Sequence, residues 1–543
     1  MLRRTFISAG VLFLTGAAAI IIATLWLAEP RVGRLWLRTA GLAAGACSVA
    51  IPLGTLLAIL LVKTDVAGRR PARLLLVALL FVPLYLIMGA WDAGFGIQGW
   101  HTLVANPHLA HEPWLAGWRA AIWIHGLAAV PWVALIVGAG LRTVEAEFEE
   151  DAVLCTSPPR VLWHVSLPHA APAILVAAAW VALVASAEIS VTDFFQVRTF
   201  AEEIYTQSAL GAFTFSNAPP NPDDAIPLSA LGLWLGLALS TVIALATLLA
   251  ARTFVTDLVD TTSRPPWIWR LGRARWPTAA MLWSVMFLVA GVPLANLVYK
   301  AGVRVDMTET GRVRSWSPVK VIERVAAAPV EYRGQIWQSL KIGGTATTTA
   351  LLIGAPLAWS MRLARRTPWL RLVMLAVCLM IPGPLLGIAV IRALNQPDSS
   401  PLAFLSALYD SNFAPWLVQT IRTLPWSTLI LWSAFASVPQ VMLDMAATDG
   451  AGWWRQLLWI ALPQHVSAVV AAWLLGLAIA VGELAATVLV MPPARHTVLA
   501  VQVFQLLHYG VDDRLAAICL VMAIGIAAIV AIAARLMNRS ARV

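Results

Sequence analysis

Residues 438–465 read VPQVMLDMAATDGAGWWRQLLWIALPQH and lie between two long apolar runs. Asp444 is followed by Ala446 and Ala447, and Gly450 comes shortly after them. We expect a short helix that ends at Gly450, because a backbone without Cβ can adopt the left-handed conformation of a tight turn. This stretch, called the second elbow below, is therefore predicted to be a structured element rather than an ordinary surface loop.

A second short helix should follow the glycine. Its sequence, Trp453-Trp454-Arg455 and then Leu457-Leu458-Trp459, is amphipathic enough to lie along a membrane surface. Leu462-Pro463 closes the elbow. Because proline is tolerated in the first turn of a helix, Pro463 is expected to begin the next apolar helix.

The composition indicates that lipid surrounds most of the chain. Of its 543 residues, 60% are hydrophobic and only 12% are charged, which is more apolar surface than a soluble globule can bury. The formal net charge of +10 comes from Lys and Arg clusters between apolar runs. Membrane topology explains these clusters better than nucleic-acid binding does.

Apolar runs predict an all-α integral membrane fold with about twelve transmembrane helices, since a span needs about 20 apolar residues. The first run is too long for a secretory signal and is expected to remain as a span. The runs lie near residues 6–28, 39–62, 73–93, 119–141, 171–194, 227–251, 277–299, 340–361, 370–394, 421–438, 466–490 and 514–536.

The charges between the runs predict that both termini are cytoplasmic. Segments 94–117 and 395–420, which this topology places outside, carry no Lys or Arg. Two other outer segments, 29–38 and 300–341, are basic and run against the pattern. The predicted cytoplasmic segments are all basic: 63–73, 252–275, 362–371 and 535–543.

The two halves of the chain repeat one another at an offset of 295 residues. An even number of spans in each half makes this a parallel repeat, whose pseudo-two-fold axis along the membrane normal surrounds a central path. We predict a first half over 1–252 (core 39–251), a surface linker over 253–275 and a second half over 276–543 (core 340–536). The offset carries Glu149 onto Asp444, Leu167-Pro168 onto Leu462-Pro463, Glu188 onto Glu483 and Thr192 onto Thr487.

The counterpart of the second elbow is EAEFEEDAVLCTSPPRVLWHVSLPHA, residues 145–170, called the first elbow. It keeps an acidic residue as Glu149, but Cys155 stands at the glycine position. Pro158-Pro159 can enforce the break that glycine permits in the second elbow. If they do not, the two elbows should dock a partner differently.

The second elbow resembles the cytoplasmic "EAA" loop of permeases from binding-protein-dependent ABC importers. The resemblance implies the type I importer permease fold, a multi-pass protein of the bacterial inner membrane, and two loops that each fit a cleft in a cytoplasmic ATPase subunit. The residues it implicates in coupling are Glu149, Cys155, Leu167, Pro168, Asp444, Ala446, Ala447, Gly450, Leu462 and Pro463.

The same resemblance implies partners that supply what this chain lacks. The sequence has no G-x-x-x-x-G-K-[ST] phosphate loop. ATP is therefore expected on two separate ATPase subunits, with no cofactor on this chain, and a periplasmic solute-binding protein is expected to deliver the solute.

Residues 482–520, which begin GELAATVLVMPPARHTVLA, are similar to the fused two-half permeases for ferric iron. The first-half stretch SAEISVTDFFQVRTFAEEIYTQSALG is similar to them as well. Ala485 and Met491 depart from the family pattern, which has proline and arginine there. Thiamine permeases share the fused architecture, and sulfate, molybdate and polyamine permeases share the loop, so these solutes remain alternatives.

Glu188 and Glu483 are carboxylates inside apolar runs, and each follows its elbow proline by 20 residues. At about 1.5 Å per residue they should lie towards the outer end of a helix. An intramembrane carboxylate is a candidate for a translocation path. Alternatively, each glutamate bonds to backbone or to Thr192 or Thr487 at a helix break; either way, these segments are expected to face the central path.

Asp193 and Arg198 could form an ion pair at the outer mouth, which makes them further path candidates. His101, His108 and His111 lie in an outer loop, where histidines are usually solvated, so no metal site is assigned. The four cysteines are widely separated and are expected to pack. The sequence shows no nucleophile with an adjacent base, so no catalytic residue is assigned.

These features favour a transport subunit that works by alternating access. An ion-coupled secondary transporter that uses Glu188 or Glu483 as a proton site is an alternative of another class. A membrane enzyme is a third.

Overall fold

The computed structural model of the protein is dominated by helices. It describes residues 30–105, 113–209, 267–308, 311–363, 381–396, 399–492 and 497–540, with single positions at 23, 27, 371, 374, 375 and 377–379. The predicted spans 6–28 and 227–251 lie outside these ranges, apart from residues 23 and 27, and so do positions 370, 372, 373, 376 and 380 of the predicted span 370–394.

The chain divides into two compact units. Unit 1 comprises residues 1–80, 84–324 and 507–520, and unit 2 comprises residues 81–83, 325–506 and 521–543. Residues 267–275 of the predicted linker 253–275 fall within unit 1, and residues 253–266 lie outside the described ranges. The division into halves by sequence repeat therefore stays a prediction.

The helices of unit 1 are α1 (Pro30–Lys63), α2 (Arg69–Leu79), α3 (Leu84–Phe95), α4 (Trp100–Ala105), α5 (Gly117–Arg142), α6 (Ala146–Cys155), α7 (Pro158–Ala187), α8 (Ser190–Phe194), α9 (Phe200–Ala209) and α10 (Gly272–Gly302). An antiparallel hairpin follows, made of β1 (Val303–Thr308) and β2 (Gly311–Trp316), with Val303 opposite Trp316. Helix α11 (Pro318–Glu331) runs across the boundary between the units.

The helices of unit 2 are α12 (Arg333–Leu363), α13 (Gly383–Leu394), α14 (Ser406–Tyr409), α15 (Phe413–Ala436), α16 (Gln440–Thr448), α17 (Trp453–Gln464), α18 (Val466–Gly482), α19 (Thr487–Val490) and α20 (Leu499–Leu507). The last helix, α21 (Asp513–Ser540), begins in unit 1 and ends in unit 2.

Both units contain a three-helix core in which small residues let helices approach closely. In unit 1, α1, α5 and α7 pack together, and a Cβ on Gly54 would lie 2.5 Å from the Cβ of Val133. In unit 2, α12, α15 and α18 pack together, and a Cβ on Gly476 would lie 2.6 Å from a methyl carbon of Thr347. Close packing of this kind is typical of helix association in membranes.

Five described helices are long and apolar enough to cross a bilayer, namely α1, α5, α7, α10 and α21. The number rises to eight if three bent helix pairs each count as one span: α2 with the helical stretch after residue 83 (105°), α15 with α16 (82°), and α17 with α18 (82°). This agrees with an all-α, multi-pass membrane protein. Helix α12 covers the predicted span 340–361 but is not among these candidates, and the count of twelve stays a prediction.

The structure repeats at the offset seen in the sequence. A π-helical turn at Leu162–Ser166 in α7 recurs at Leu457–Ala461 in α17. Helix α7 ends at Ala187, and α18 ends at the equivalent Gly482. The π turn after each elbow's break and the end of the apolar helix that follows thus recur in both units.

The expectation that Pro463 begins a span is wrong. Pro463 lies in the last turn of α17, and the bend to α18 comes at His465. The ring of His465 bonds to the carbonyl of Ala461 (3.1 Å) and to the hydroxyl of Ser437 (2.9 Å), which holds the bend. The equivalent residue in unit 1 is Ala170, which has no such side chain, and α7 continues through it without a break.

Candidate functional site

The two elbows have the same helix order but different turns. In the second elbow, α16 ends at Thr448, and Gly450 has φ of +77°. The amide of Ala451 donates to the carbonyl of Ala446 (2.9 Å) and closes the turn. Nothing lies within 4 Å of a Cβ added at Gly450, so glycine is required by the backbone conformation rather than by space.

The first elbow turns without a left-handed residue. Cys155 is the last residue of α6, and Thr156 (φ −154°) and Ser157 (φ −72°) are extended. Pro158 then occupies the first position of α7, and a residue before proline disfavours the helical conformation. The proline pair therefore makes the break, which explains why a cysteine can stand at the glycine position.

The acidic residue of the first elbow is buried in an ion pair. Nζ of Lys63, at the end of α1, lies 2.7 Å from Oε2 of Glu149, and neither side chain is exposed. The hydroxyl of Ser166, in the π turn of α7, donates to Oε1 of Glu149 (2.6 Å). Glu149 thus fastens α6 to α1 and α7 and is buried.

The acidic residue of the second elbow is exposed. Oδ1 of Asp444 accepts one hydrogen bond from the side chain of Gln440, one turn earlier in the same helix (2.8 Å). In α16, Leu443 is buried, and the side-chain amide of Gln456 donates to the carbonyl of Leu443 (3.4 Å). The Asp444 carboxylate is therefore accessible at the surface.

An arginine holds the start of the second elbow. Nε of Arg362, at the end of α12, donates to the carbonyl of Phe435 (2.7 Å), and another nitrogen of the same guanidinium donates to the carbonyl of Val438. The guanidinium also lies over the ring of Trp359, 5.3 Å from its centroid. The arginine thus binds one carbonyl in the last turn of α15 and one just after it.

Both elbows present apolar side chains at their surface. Leu154 of the first elbow is 86% exposed, and Met445 of the second is 65% exposed. Such patches are typical of surfaces that a partner or lipid covers. The other large exposed apolar residues are Phe148 and Trp163 in the first elbow, and Val441, Met442, Trp454, Leu458 and Trp459 in the second.

The remaining predicted coupling residues lie on these same segments. Leu167 and Pro168 follow the π turn of α7, and Leu462 and Pro463 follow that of α17. Ala446 is half-buried and Ala447 is exposed on α16. A coupling role for any of them stays a prediction.

Glu188 and Glu483 each cap the short helix that follows them. The Glu188 carboxylate accepts from the amides of Ser190 (2.9 Å) and Val191 (3.1 Å) and from the hydroxyl of Ser190. The Glu483 carboxylate accepts from the amides of Ala486 (2.9 Å) and Thr487 (3.0 Å) and from the hydroxyl of Thr487. This is the arrangement expected of a helix break with a capping carboxylate.

The hydroxyl of Thr192 does not bond to its glutamate carboxylate as the hydroxyl of Thr487 does. The Thr192 hydroxyl donates to the carbonyl of Ile189 (3.2 Å) instead of to Glu188's carboxylate. Asp193 is paired with His508, whose Nε2 lies 3.2 Å from Oδ2. Arg198, proposed from the sequence as the partner of Asp193, is not in an ion pair with it among the described residues.

Of the three histidines in the predicted outer loop, only His101 is described, because His108 and His111 lie outside the described residues. The ring of His101 lies 5.1 Å from that of Phe95. Within the described ranges, no group of three or more His, Cys, Asp or Glu side chains is placed to hold a metal ion.

Sequence reasoning missed Lys63, Ser166 and Arg362. The only signal for Lys63 and Arg362 was that each is a basic residue at the predicted cytoplasmic end of an apolar run. Nothing in the sequence indicated which carboxylate or carbonyl either one would meet.

No family model matches the chain. The chain is similar to two permease proteins assigned to a 2-aminoethylphosphonate transport system, one from Salmonella paratyphi A and one from Salmonella typhi, with 29% identity over 177 residues in each case. The match covers 32% of this chain and 62% and 63% of the two relatives, which is less than two thirds of their length. The similarity supports a permease subunit of a transport system and does not point to ferric iron.

Proposed function

We propose that the chain is the membrane-spanning permease of an ABC importer and that its two elbows receive two cytoplasmic ATPase subunits. The observation that carries this is the duplicated elbow, a short helix, a tight turn and a helix with a π turn, recurring at the same offset. The apolar side chains exposed on both elbows and the similarity to permease proteins support it. The absence of a phosphate loop from the sequence calls for a separate motor.

In this proposal, force enters each bundle at its elbow. Helix α7 runs unbroken from Pro158 to Ala187, so a displacement of the first elbow is carried along the whole helix. The second elbow acts on α18 through the bend at His465. A periplasmic binding protein delivers the solute, and the movement of the elbows alternates access to the path.

Two solutes are the leading candidates, for different reasons. The case for ferric iron rests on the resemblance of residues 482–520 to iron permeases. The case for 2-aminoethylphosphonate rests on the similarity to the two Salmonella relatives. Permeases for thiamine, sulfate, molybdate and polyamines share parts of the same sequence motifs. The solute is therefore proposed only as one of these classes.

The test is ATPase activity of the permease reconstituted with its cognate ATPase subunits in nanodiscs. We expect stimulation by the cognate binding protein when it is loaded with its solute, and comparison of ferric iron with 2-aminoethylphosphonate distinguishes the two candidates. Transport that proceeds without ATPase subunits and is abolished by an uncoupler would overturn the proposal in favour of an ion-coupled carrier. The geometry speaks against that carrier, because protonating Glu188 or Glu483 would weaken the cap of α8 or α19.

A further inference from the structure

A histidine and a glutamate face each other inside unit 1. Nε2 of His125, on α5, lies 3.8 Å from Oε2 of Glu188, and the His125 side chain is only 2% exposed. Nδ1 of His125 lies 2.8 Å from the carbonyl oxygen of Ala121. Because a carbonyl only accepts, Nδ1 must carry a hydrogen, so Nε2 of the neutral ring is an acceptor.

When the ring is neutral, Nε2 of His125 and Oε2 of Glu188 are therefore two hydrogen-bond acceptors that face each other. Nε2 of His125 is buried and has no hydrogen-bond partner in the described part of the chain. The carboxylate of Glu188 is already oriented by the donors of α8 and cannot turn away without uncapping that helix. A proton on Nε2 replaces this repulsion with an ion pair.

In unit 2, the residue equivalent to Glu188 is Glu483, and a different charged group lies on the helix equivalent to α5. Pro131-Trp132 of α5 and Pro425-Trp426 of α15 align, which places Gln419 at the position of His125. Arg422 lies one turn further along the same face and acts electrostatically on Glu483. The capping glutamate of unit 2 is thus within electrostatic range of a permanent cation.

We propose that His125 and Glu188 form a proton-binding site. A proton taken from water forms the N–H bond at Nε2 of His125 and supplies in unit 1 the positive charge that Arg422 supplies in unit 2. The side chain of Glu188 is 17% exposed, which gives the proton a way in. The site does not depend on the proposed transport function, and the cap of α8 stays intact.

Other charged groups on the helices packed against α5 are engaged elsewhere or do not act on His125. Glu188 is the charged group that acts on the ring. Asp92 interacts electrostatically with Lys300, and Asp193 is paired with His508. The remaining titratable residues on α1, α2, α3 and α7 are Arg31, Arg34, Arg38, Cys47, Lys63, Arg69, Arg70, Arg73, Tyr85, Arg160, His164 and His169.

The test follows the ring nitrogens by ¹⁵N NMR on histidine-labelled protein in nanodiscs, with His125→Gln used to assign the signal. We expect Nε2 of His125 to become protonated as the pH is lowered from neutral into the acid range. In Glu188→Gln the ring should stay neutral over that range, because the buried cation has lost its counter-ion. Glu483→Gln, which changes the equivalent cap in unit 2, is the matched control and should titrate like the wild type.

A ring that stays neutral throughout in the wild type, or one that takes up a proton equally in Glu188→Gln, overturns the proposal. The amide introduced by Glu188→Gln keeps one acceptor for the backbone amides of α8, and a size-exclusion profile checks the fold of the variant. Should that variant not fold, dipolar recoupling in the wild type between Nε2 of His125 and the labelled carboxyl of Glu188 replaces it. Protonation with the ion pair within about 4 Å supports the site, and protonation without that contact overturns it.

Discussion

The first and second elbows share a backbone plan but are fastened by different chemistry. In the first, Glu149 is buried between Lys63 and Ser166. In the second, Asp444 is exposed, and the elbow is held through backbone carbonyls bound by Arg362. The difference teaches that one helix–turn–helix geometry can be kept either by a buried charge pair or by a cation at a helix end.

The same contrast recurs where α9 and α20 begin. The amide of Phe200 donates to the hydroxyl of Thr39 (3.0 Å), and the amide of Leu499 donates to the hydroxyl of Ser339 (2.7 Å). Two residues further on, unit 1 has buried Glu202, whereas unit 2 has buried Val501. Unit 1 therefore tolerates buried ionisable groups at places where unit 2 is apolar.

Breaking the buried pair of the first elbow should have the largest effect. Glu149→Gln leaves the Lys63 cation buried without a counter-ion, and we expect a loss of about 3–5 kcal/mol in the free energy of unfolding. Asp444→Asn at the equivalent exposed position should change it by no more than about 0.5 kcal/mol. Denaturant titration in mixed micelles measures both, and equal losses would remove the contrast between the elbows.

The double variant Lys63→Met with Glu149→Leu sharpens the same point. Replacing a buried ion pair by apolar residues of similar volume is often neutral, so most of the stability lost in Glu149→Gln should return. A double variant as unstable as the single one would mean that this site needs charge for a reason other than pairing.

Removing the hydroxyl that supports the pair should have the next largest effect. Ser166→Ala deletes a hydrogen bond to a charged group, which typically contributes about 1.5–3 kcal/mol. In the apolar double variant, the same substitution should be nearly neutral, because the accepting carboxylate is gone. Equal effects in the two backgrounds would show that Ser166 acts independently of Glu149.

The duplicated turn gives a third, smaller contrast. Gly450→Val forces a β-branched residue into φ near +77° and should cost about 1–2 kcal/mol, together with a loss of coupled ATPase activity. Cys155→Val leaves an ordinary helical residue in place and should be nearly neutral. Melting curves and ATPase assays test both, and unchanged coupling in Gly450→Val would count against the role of this elbow.

Much of this architecture could be predicted from the sequence, because it rests on local patterns. Apolar runs and the offset from Leu167-Pro168 to Leu462-Pro463 predicted membrane helices and a repeat. The helix end at Gly450 follows from glycine's backbone freedom and is confirmed by its positive φ. Local patterns also offered a helix break bonded to Glu188 as one of two alternatives, and the structure shows that arrangement.

The rest depended on contacts between distant parts of the chain. The resemblance implicates Glu149 in coupling, but it does not reveal that Lys63, 86 residues earlier, pairs with it in the fold. The bend at His465 depends on Ser437, which lies 28 residues away. Which polar group meets which is decided by helix packing, and one sequence does not reveal that.

The smallest predicted effect concerns pH. Burial raises the pKa of the Glu202 carboxyl, so the folded state disfavours its ionised form. The stability associated with the protonated group is present below the ordinary pKa of glutamate and is lost as the pH rises through the raised value. Glu202→Gln should therefore be more stable than the wild type at neutral pH and equal to it in acid.

Melting temperatures at a series of pH values test this expectation. The matched control is Glu145→Gln, which alters an exposed glutamate of the first elbow and should show no such dependence. A Glu202→Gln variant that is less stable than the wild type at neutral pH would show that the ionised carboxylate is stabilised in the fold.

The central claim is that both elbows lie on the cytoplasmic face and are covered by a motor. Cys155 is exposed in the first elbow, and Asp449→Cys places a thiol in the second, in a background with Cys47, Cys378 and Cys519 replaced by alanine. The decisive measurement is modification by a membrane-impermeant maleimide in inside-out and right-side-out vesicles, with and without the cognate ATPase subunits. We predict that both thiols react only in inside-out vesicles and are protected when the subunits bind, whereas thiols that react from opposite faces, or that are never protected, would contradict the account.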